Sequence, residues 1–212
     1  MRSVSVPRPI DCTVELFYLA RSEKNTAGRP AYETLKGGPM DSLNLEGLSI
    51  LMTRELSAFS RELDLFDDES LIWSTVPGIA NSAGNLALHV CGNLQHFVGA
   101  ALGGTGYVRD REREFSARGI ARAELQAGLA TTSDVVRVVL PKLSGMDFNA
   151  GFPELPGDLR VPSGLFLMHL SSHLAFHLGQ AGYLRRVLTG ENPQSSGAMA
   201  IRALAIEPPS TV

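Results

Sequence analysis

Apolar residues in this chain recur with the 3.6-residue period of an α-helix in four separate stretches, and no stretch alternates as a half-buried strand would. Leu48, Leu51, Met52, Leu56, Phe59 and Leu63 mark a first amphipathic helix over about 44–65. Ser82 is an N-cap for a second helix that runs to Gly103-Gly104, with Leu86, Leu88, Val90, Leu94, Phe97 and Val98 as its apolar set. A third is predicted from about Arg122 to Leu143, turning Leu125, Leu129, Val135, Val136, Val139 and Leu140 inward. Residues 144–162 then hold Gly145, Gly151, Pro153, Pro156, Gly157 and Pro162, a density that excludes a helix and predicts a long crossover loop. Ser163 opens the fourth and most apolar helix, which ends at Thr189 with Gly190 as its C′ residue. Four such helices, the last two joined by a long loop, predict an all-α four-helix bundle.

The flanks read differently. Residues 1–43 carry Pro7, Pro9, Pro30 and Pro39 and a single apolar stretch, Val14 to Ala20, which predicts a poorly structured extension. Lys36-Gly37-Gly38-Pro39 stands just before Met40, and Lys-Gly-Gly can be encoded by a purine-rich ribosome-binding sequence. Met40 is therefore a candidate true start, with residues 1–39 dispensable; a flexible glycine leader explains the same residues. The bundle is expected over 44–190, and 191–212 is a tail with one weak apolar stretch, Met199 to Ile206. Nineteen Lys and Arg against 22 Asp and Glu give a net charge of −3 without a long basic cluster, which argues against a nucleic-acid surface. No apolar run reaches the roughly 18 residues of a membrane span. Asp11 and Glu15 spoil a secretory signal, and Cys12 and Cys91 alone make no disulfide framework. The expectation is a soluble, cytoplasmic protein.

All five histidines fall on two helices: His89 and His96 on the second, His169, His173 and His177 on the fourth. Residues i and i+4 share a helix face, so His173 and His177 can hold two positions on one metal ion. A third imidazole from the second helix would complete a bundle-core site, and His89, the more deeply placed, suits that better than His96. Spacing leaves two alternatives open: His169 with His173 as the pair, or histidines that are hydrogen-bonded core residues without a metal. Asn85 and Asn93, one turn either side of His89, are candidates to orient ligands. Cys91 points away and reads as a small buried hydrophobe. Arg109-Asp110-Arg111-Glu112-Arg113-Glu114 reads as a solvated face or turn, with Asp110, Glu112 or Glu114 as a candidate general base at a pocket mouth. Other chemistries lack their motifs: there is no G-x-x-x-x-G-K-[ST], G-x-S-x-G, H-E-x-x-H or Glu-x-x-His. Gly103-Gly104-Thr105-Gly106 follows a helix and reads as a helix stop.

Asn85-Leu-Ala-Leu-His89-Val-Cys-Gly-Asn93-Leu, followed far downstream by His173-Leu-Ala-Phe-His177-Leu-Gly179-Gln180-Ala-Gly-Tyr183-Leu-Arg185-Arg186, resembles the DinB-like superfamily over about 44–190. The resemblance implies a small four-helix bundle with His89, His173 and His177 as ligands of one divalent metal, Zn or Ni first, with Fe(II) and Co also suited to imidazole. It places His96 and His169 outside the triad, lining or flanking the pocket. Relatives include bacillithiol transferases and mycothiol-dependent maleylpyruvate isomerases. The implied activity is therefore a metal-dependent S-transferase that activates a low-molecular-weight thiol toward an electrophilic substrate between the second and fourth helices. Gln180 and Asn93 would orient ligands or substrate. The alternative is a non-catalytic bundle stapled by its metal. The resemblance also implies a homodimer, with Tyr183 and Leu184 as spare apolar surface.

Overall fold

The structure is a computed structural model in which residues 42–155, 159–190 and 194–204 are described. The expectations for residues 1–39 and for a start at Met40 lie outside the described residues. Within them the regular structure is helical, and the sole extended pairing is an isolated bridge between Gly151 and Pro162. Helix α1 spans Ser42–Asp64, α2 Ala83–Leu94, α3 Arg111–Ser116, α4 Arg122–Val139 and α5 Ser163–Thr189. The predicted second, third and fourth helices thus correspond to α2, α4 and α5. No described helix is long and apolar enough to cross a membrane.

Local chemistry sets the ends. Ser82 caps α2 through a capping box: its hydroxyl accepts from Asn85 N at 3.2 Å, and Asn85 Oδ1 accepts from Ser82 N at 3.4 Å. Beyond Leu94 the helix continues to Leu102 in π geometry, where Gly103 N donates to Val98 O at 3.0 Å. Pro141 converts the end of α4 into a 3₁₀ turn, Leu140–Leu143. Gly190 ends α5 at φ +68°, a left-handed backbone that glycine adopts without a Cβ penalty.

The predicted apolar stripes meet in one core. Leu48, Met52, Leu56, Phe59 and Leu63 of α1, Leu86, Val90 and Leu94 of α2, and Leu125, Leu129 and Val136 of α4 are buried, with Leu51, Leu88 and Val135 only half-buried. Helix α1 packs on α4 and α5, while α2 packs on α3, α4 and α5. The described residues of the 144–162 connection form no helix, and they are anchored: Phe148 and Phe152 are buried, and Phe152 meets Phe97 and Phe166 at centroid distances of 5.9 and 4.5 Å. The most deeply buried of the described charged pairs joins α5 to α1. Arg185 of α5 and Glu62 of α1, at 0% and 2% exposure, are hydrogen-bonded, and Arg185 Nη2 also donates to Gln194 O at 2.6 Å. The described part of the tail lies on α1, where Arg61 Nε donates to Ser196 O at 2.7 Å and Met199 N to Glu55 Oε2 at 3.2 Å.

Candidate metal centre

Helix α2 carries His89 into the space that α5 lines with His173 and His177, and the three rings turn their Nε2 atoms toward one another. His173 Nε2 lies 3.3 Å from His89 Nε2 and 3.0 Å from His177 Nε2. Three imidazole nitrogens on one ion, each at about 2.0–2.1 Å, stand about 2.9–3.4 Å apart in octahedral or tetrahedral geometry. The observed spacings fall in that interval. His89 and His177 are buried and His173 half-buried. Among the described residues, no fourth His, Cys, Asp or Glu joins the cluster.

The outer nitrogens explain why the inner ones converge bare. His89 Nδ1 is 2.8 Å from Glu114 Oε2, and a carboxylate only accepts, so the ring proton is on Nδ1 and the Nε2 lone pair is free. His177 Nδ1 likewise donates to Gln180 Oε1 at 2.7 Å. Two unprotonated nitrogens facing a third leave a cluster that one proton on His173 cannot satisfy, whereas a cation can. The donor set fits a divalent metal.

Glu114 is itself held. Arg109 Nε and Nη2 donate to its two oxygens at 2.7 and 2.8 Å, a bidentate pair. Burial works against the carboxylate's charge, but the Arg109 guanidinium and the His89 ring outweigh it and hold the carboxyl below its ordinary value. Asp110 caps α3 by accepting from Arg113 N at 2.9 Å, and Asn85 Nδ2 donates to Glu114 O at 2.9 Å, fastening α3 to α2. Gly92 leaves the room that this requires: a Cβ there would stand 2.0 Å from Glu114 Oε1. Gly92→Ala should therefore push Glu114 off His89 and weaken metal binding about 10–100-fold, the range for lost outer hydrogen bonds. Competition with a chromophoric chelator measures it; an unchanged affinity would show that Glu114 does not tune the centre.

Neither protein-family models, nor curated proteins, nor solved structures give a match to this chain.

Each predicted residue can be placed. His89, His173 and His177 come together, which removes the alternative pair of His169 with His173. His169 flanks the cluster, with its ring centroid 5.8 Å from His173 and stacked on Phe166. His96 faces elsewhere, toward Glu154 at 3.6 Å and the ring of Phe97. Asn85 does not orient a histidine directly; it serves the cap and the α3 backbone. Asn93 is buried, and its Oδ1 has no hydrogen-bond partner within the described residues. Gln180 orients His177 as expected. Cys91 is buried, which pushes its thiol up to about 12 and keeps it un-ionised. The 109–114 run corrects the expectation of a solvated face: it forms the start of α3, and Glu114 is 4% exposed because His89 and Arg109 draw it inward. Glu112 stays exposed, and Asp110 is the cap. Arg109 was not among the expected site residues. The one sequence signal for it is an acid five residues away in a chain with a buried histidine to orient.

Without metal, the imidazoles should make the fold acid-sensitive. Burial, aided by charge repulsion from its neighbours, lowers His177 to about 4 and His173 to about 2 from an ordinary 6.5. Between 6.5 and those values the unfolded chain binds protons that the folded chain refuses, so stability falls as pH drops. Denaturant midpoints of chelator-treated protein should fall steadily from pH 7 to pH 4. A flat profile in His173→Gln/His177→Gln would assign the slope to these rings; a flat profile in the parent protein would contradict the burial argument.

Proposed function

We propose that the chain is a four-helix bundle of DinB-like type, the short α3 being an addition between its second and third members. In this reading one divalent metal, Zn or Ni first, sits on His89, His173 and His177, and the protein is an S-transferase for a small thiol and an electrophile. The observation that carries it is the trio of converging Nε2 atoms, two with their outer nitrogens pinned, and no fourth protein donor among the described residues. Such a three-ligand centre is the catalytic type, since structural sites are normally closed by a fourth side chain.

When bound, the cation supplies charge stabilisation that makes a thiol ionise near neutral pH. The chain's own residues do the rest. Glu114 and Gln180 fix the tautomers of His89 and His177, so neither of these two rings rotates away from the centre. Arg109 keeps Glu114 ionised. Asn93, one turn beyond His89 on the same α2 face, has a buried acceptor that a hydroxyl or amine of the bound thiol would satisfy. Cys91 takes no part, because its thiol is un-ionised.

The test is to incubate metal-loaded protein with a panel of low-molecular-weight thiols and 1-chloro-2,4-dinitrobenzene, with His89→Ala beside it. At least one thiol should be consumed 100-fold or more faster by the parent protein, as expected when a catalytic cation is lost. Rates equal to His89→Ala across every thiol, together with strong metal-dependent stabilisation, would establish the alternative. The metal would then be a staple between α2 and α5.

A further inference from the structure

The outer side of α5 borders a cleft of about 710 Å³, closed on its other flank by the segment 76–81. That volume is within the usual range for small-molecule sites. Its walls are apolar: Ile79, Phe176, Tyr183 and Val187 stand 48–77% exposed along it. Soluble surfaces seldom gather that many large apolar side chains without a ligand or partner. The cleft reaches His177 and Gln180 but neither His89 nor His173, so it meets the metal centre from behind, on the Nδ1 side of one ligand.

Its polar side chains are few: the amides of Asn81 and Gln180, the His177 ring and the Tyr183 hydroxyl. Gln180 gives its Oε1 to His177 Nδ1, which fixes the orientation of the amide and leaves both Nε2 hydrogens for the cleft. Asn81 also lines the cleft, and among the described residues neither its side chain nor Gln180 Nε2 has a hydrogen-bonding partner. Asn81 can donate or accept, but Gln180, with its oxygen taken by His177, can only donate. Apolar walls with that N–H donor therefore select an apolar molecule that bears an acceptor.

We propose that this cleft is a binding site for a small apolar carbonyl compound, whose oxygen accepts from Gln180 Nε2 while its hydrocarbon body lies against Ile79, Phe176 and Tyr183. The site lies on the Nδ1 side of His177 and does not depend on any transferase activity. A small molecule suits it better than a second copy of the chain. Leu184, the other half of the expected dimer patch, is buried at 5% exposure, and what remains is concave.

A matched pair of probes tests this: 4-phenylbutan-2-one and n-butylbenzene, which differ by a carbonyl in place of a methylene. Titration into ¹⁵N-labelled protein should move amide resonances within 76–81 and 175–187, with the ketone binding about tenfold tighter, as one hydrogen bond allows. Gln180→Leu should erase the ketone's advantage and keep hydrocarbon binding. Ile79→Asp should weaken both at least tenfold, and His89→Ala should bind both like the parent, which separates this site from the metal reading. Equal affinities for the two probes, or shifts centred elsewhere, would overturn the proposal. So would a dimer in sedimentation that Tyr183→Asp splits and that binds the probes only once split, since the cleft would then be an interface.

Discussion

Purified protein should carry about one divalent metal per chain, and His177→Ala should carry almost none. His177 Nε2 stands 3.0 Å from His173 Nε2 and is fixed from behind by Gln180, so its loss removes one of three ligands and the end of the cluster nearest the cleft. Two imidazoles on flexible exchange with water hold Zn or Ni far more weakly than three held rigid, and a loss of 1,000-fold or more in affinity is the order expected. His96→Ala is the informative companion. It deletes a histidine of the same helix as His89, but one whose ring meets Glu154 and Phe97 instead of the cluster. Elemental analysis of the three proteins, with circular dichroism to confirm the helices, gives the answer. Equal metal in parent and His177→Ala would end the triad; loss in His96→Ala as well would mean that metal follows histidine number and not geometry.

The helices were legible because their signals are local. Ser82, Gly190 and the 3.6-residue stripes act within a turn or two of themselves, and the observed bounds of α4, of α5 and of α2 with its π continuation to Leu102 lie within a few residues of the expected ones. The triad was legible for a related reason: an i, i+4 pair on one helix and a histidine inside the apolar face of another have few other places to point. What supports the triad was not. Glu114 sits in a run of alternating charges that is water-exposed in most proteins, and nothing within that run says that one of its members will be drawn beneath α2. The cause lies 25 residues upstream in His89 and in Gly92, whose missing side chain makes the space. Asn85 shows the converse: it is spaced to act on His89, but the capping box and the α3 carbonyls claim it first. The switch to π geometry after Leu94 also has no signature in the sequence. Gly103 packs there against Val139 so closely that a Cβ would come within 2.5 Å, a constraint only tertiary structure reveals.

The buried pair of Glu62 and Arg185 gives the largest expected effect on stability. Arg185 is fully buried, bonded to Glu62 on one side and to the Gln194 carbonyl on the other. Glu62→Ala would leave a guanidinium in the core without its carboxylate, which costs about 3–5 kcal/mol and should lower the melting temperature by about 10 °C or more. The pair itself need not be worth that much. Charges removed from water together regain little more than their desolvation, so Glu62→Leu/Arg185→Met should recover most of the loss, short of what the orphaned Gln194 carbonyl costs. Thermal melts of Glu62→Leu, Arg185→Met and the double variant form a cycle that isolates the coupling. A double variant as damaged as the sum of the singles would show two independent side chains and no pair. Metal content supplies the separate control: Arg185 lies two turns beyond His177 on α5, so the folded double variant should still bind about one metal per chain. If it binds none, the ion pair sets the rotation of α5 and thereby the aim of His173 and His177, which would make it part of the centre and not of the core alone.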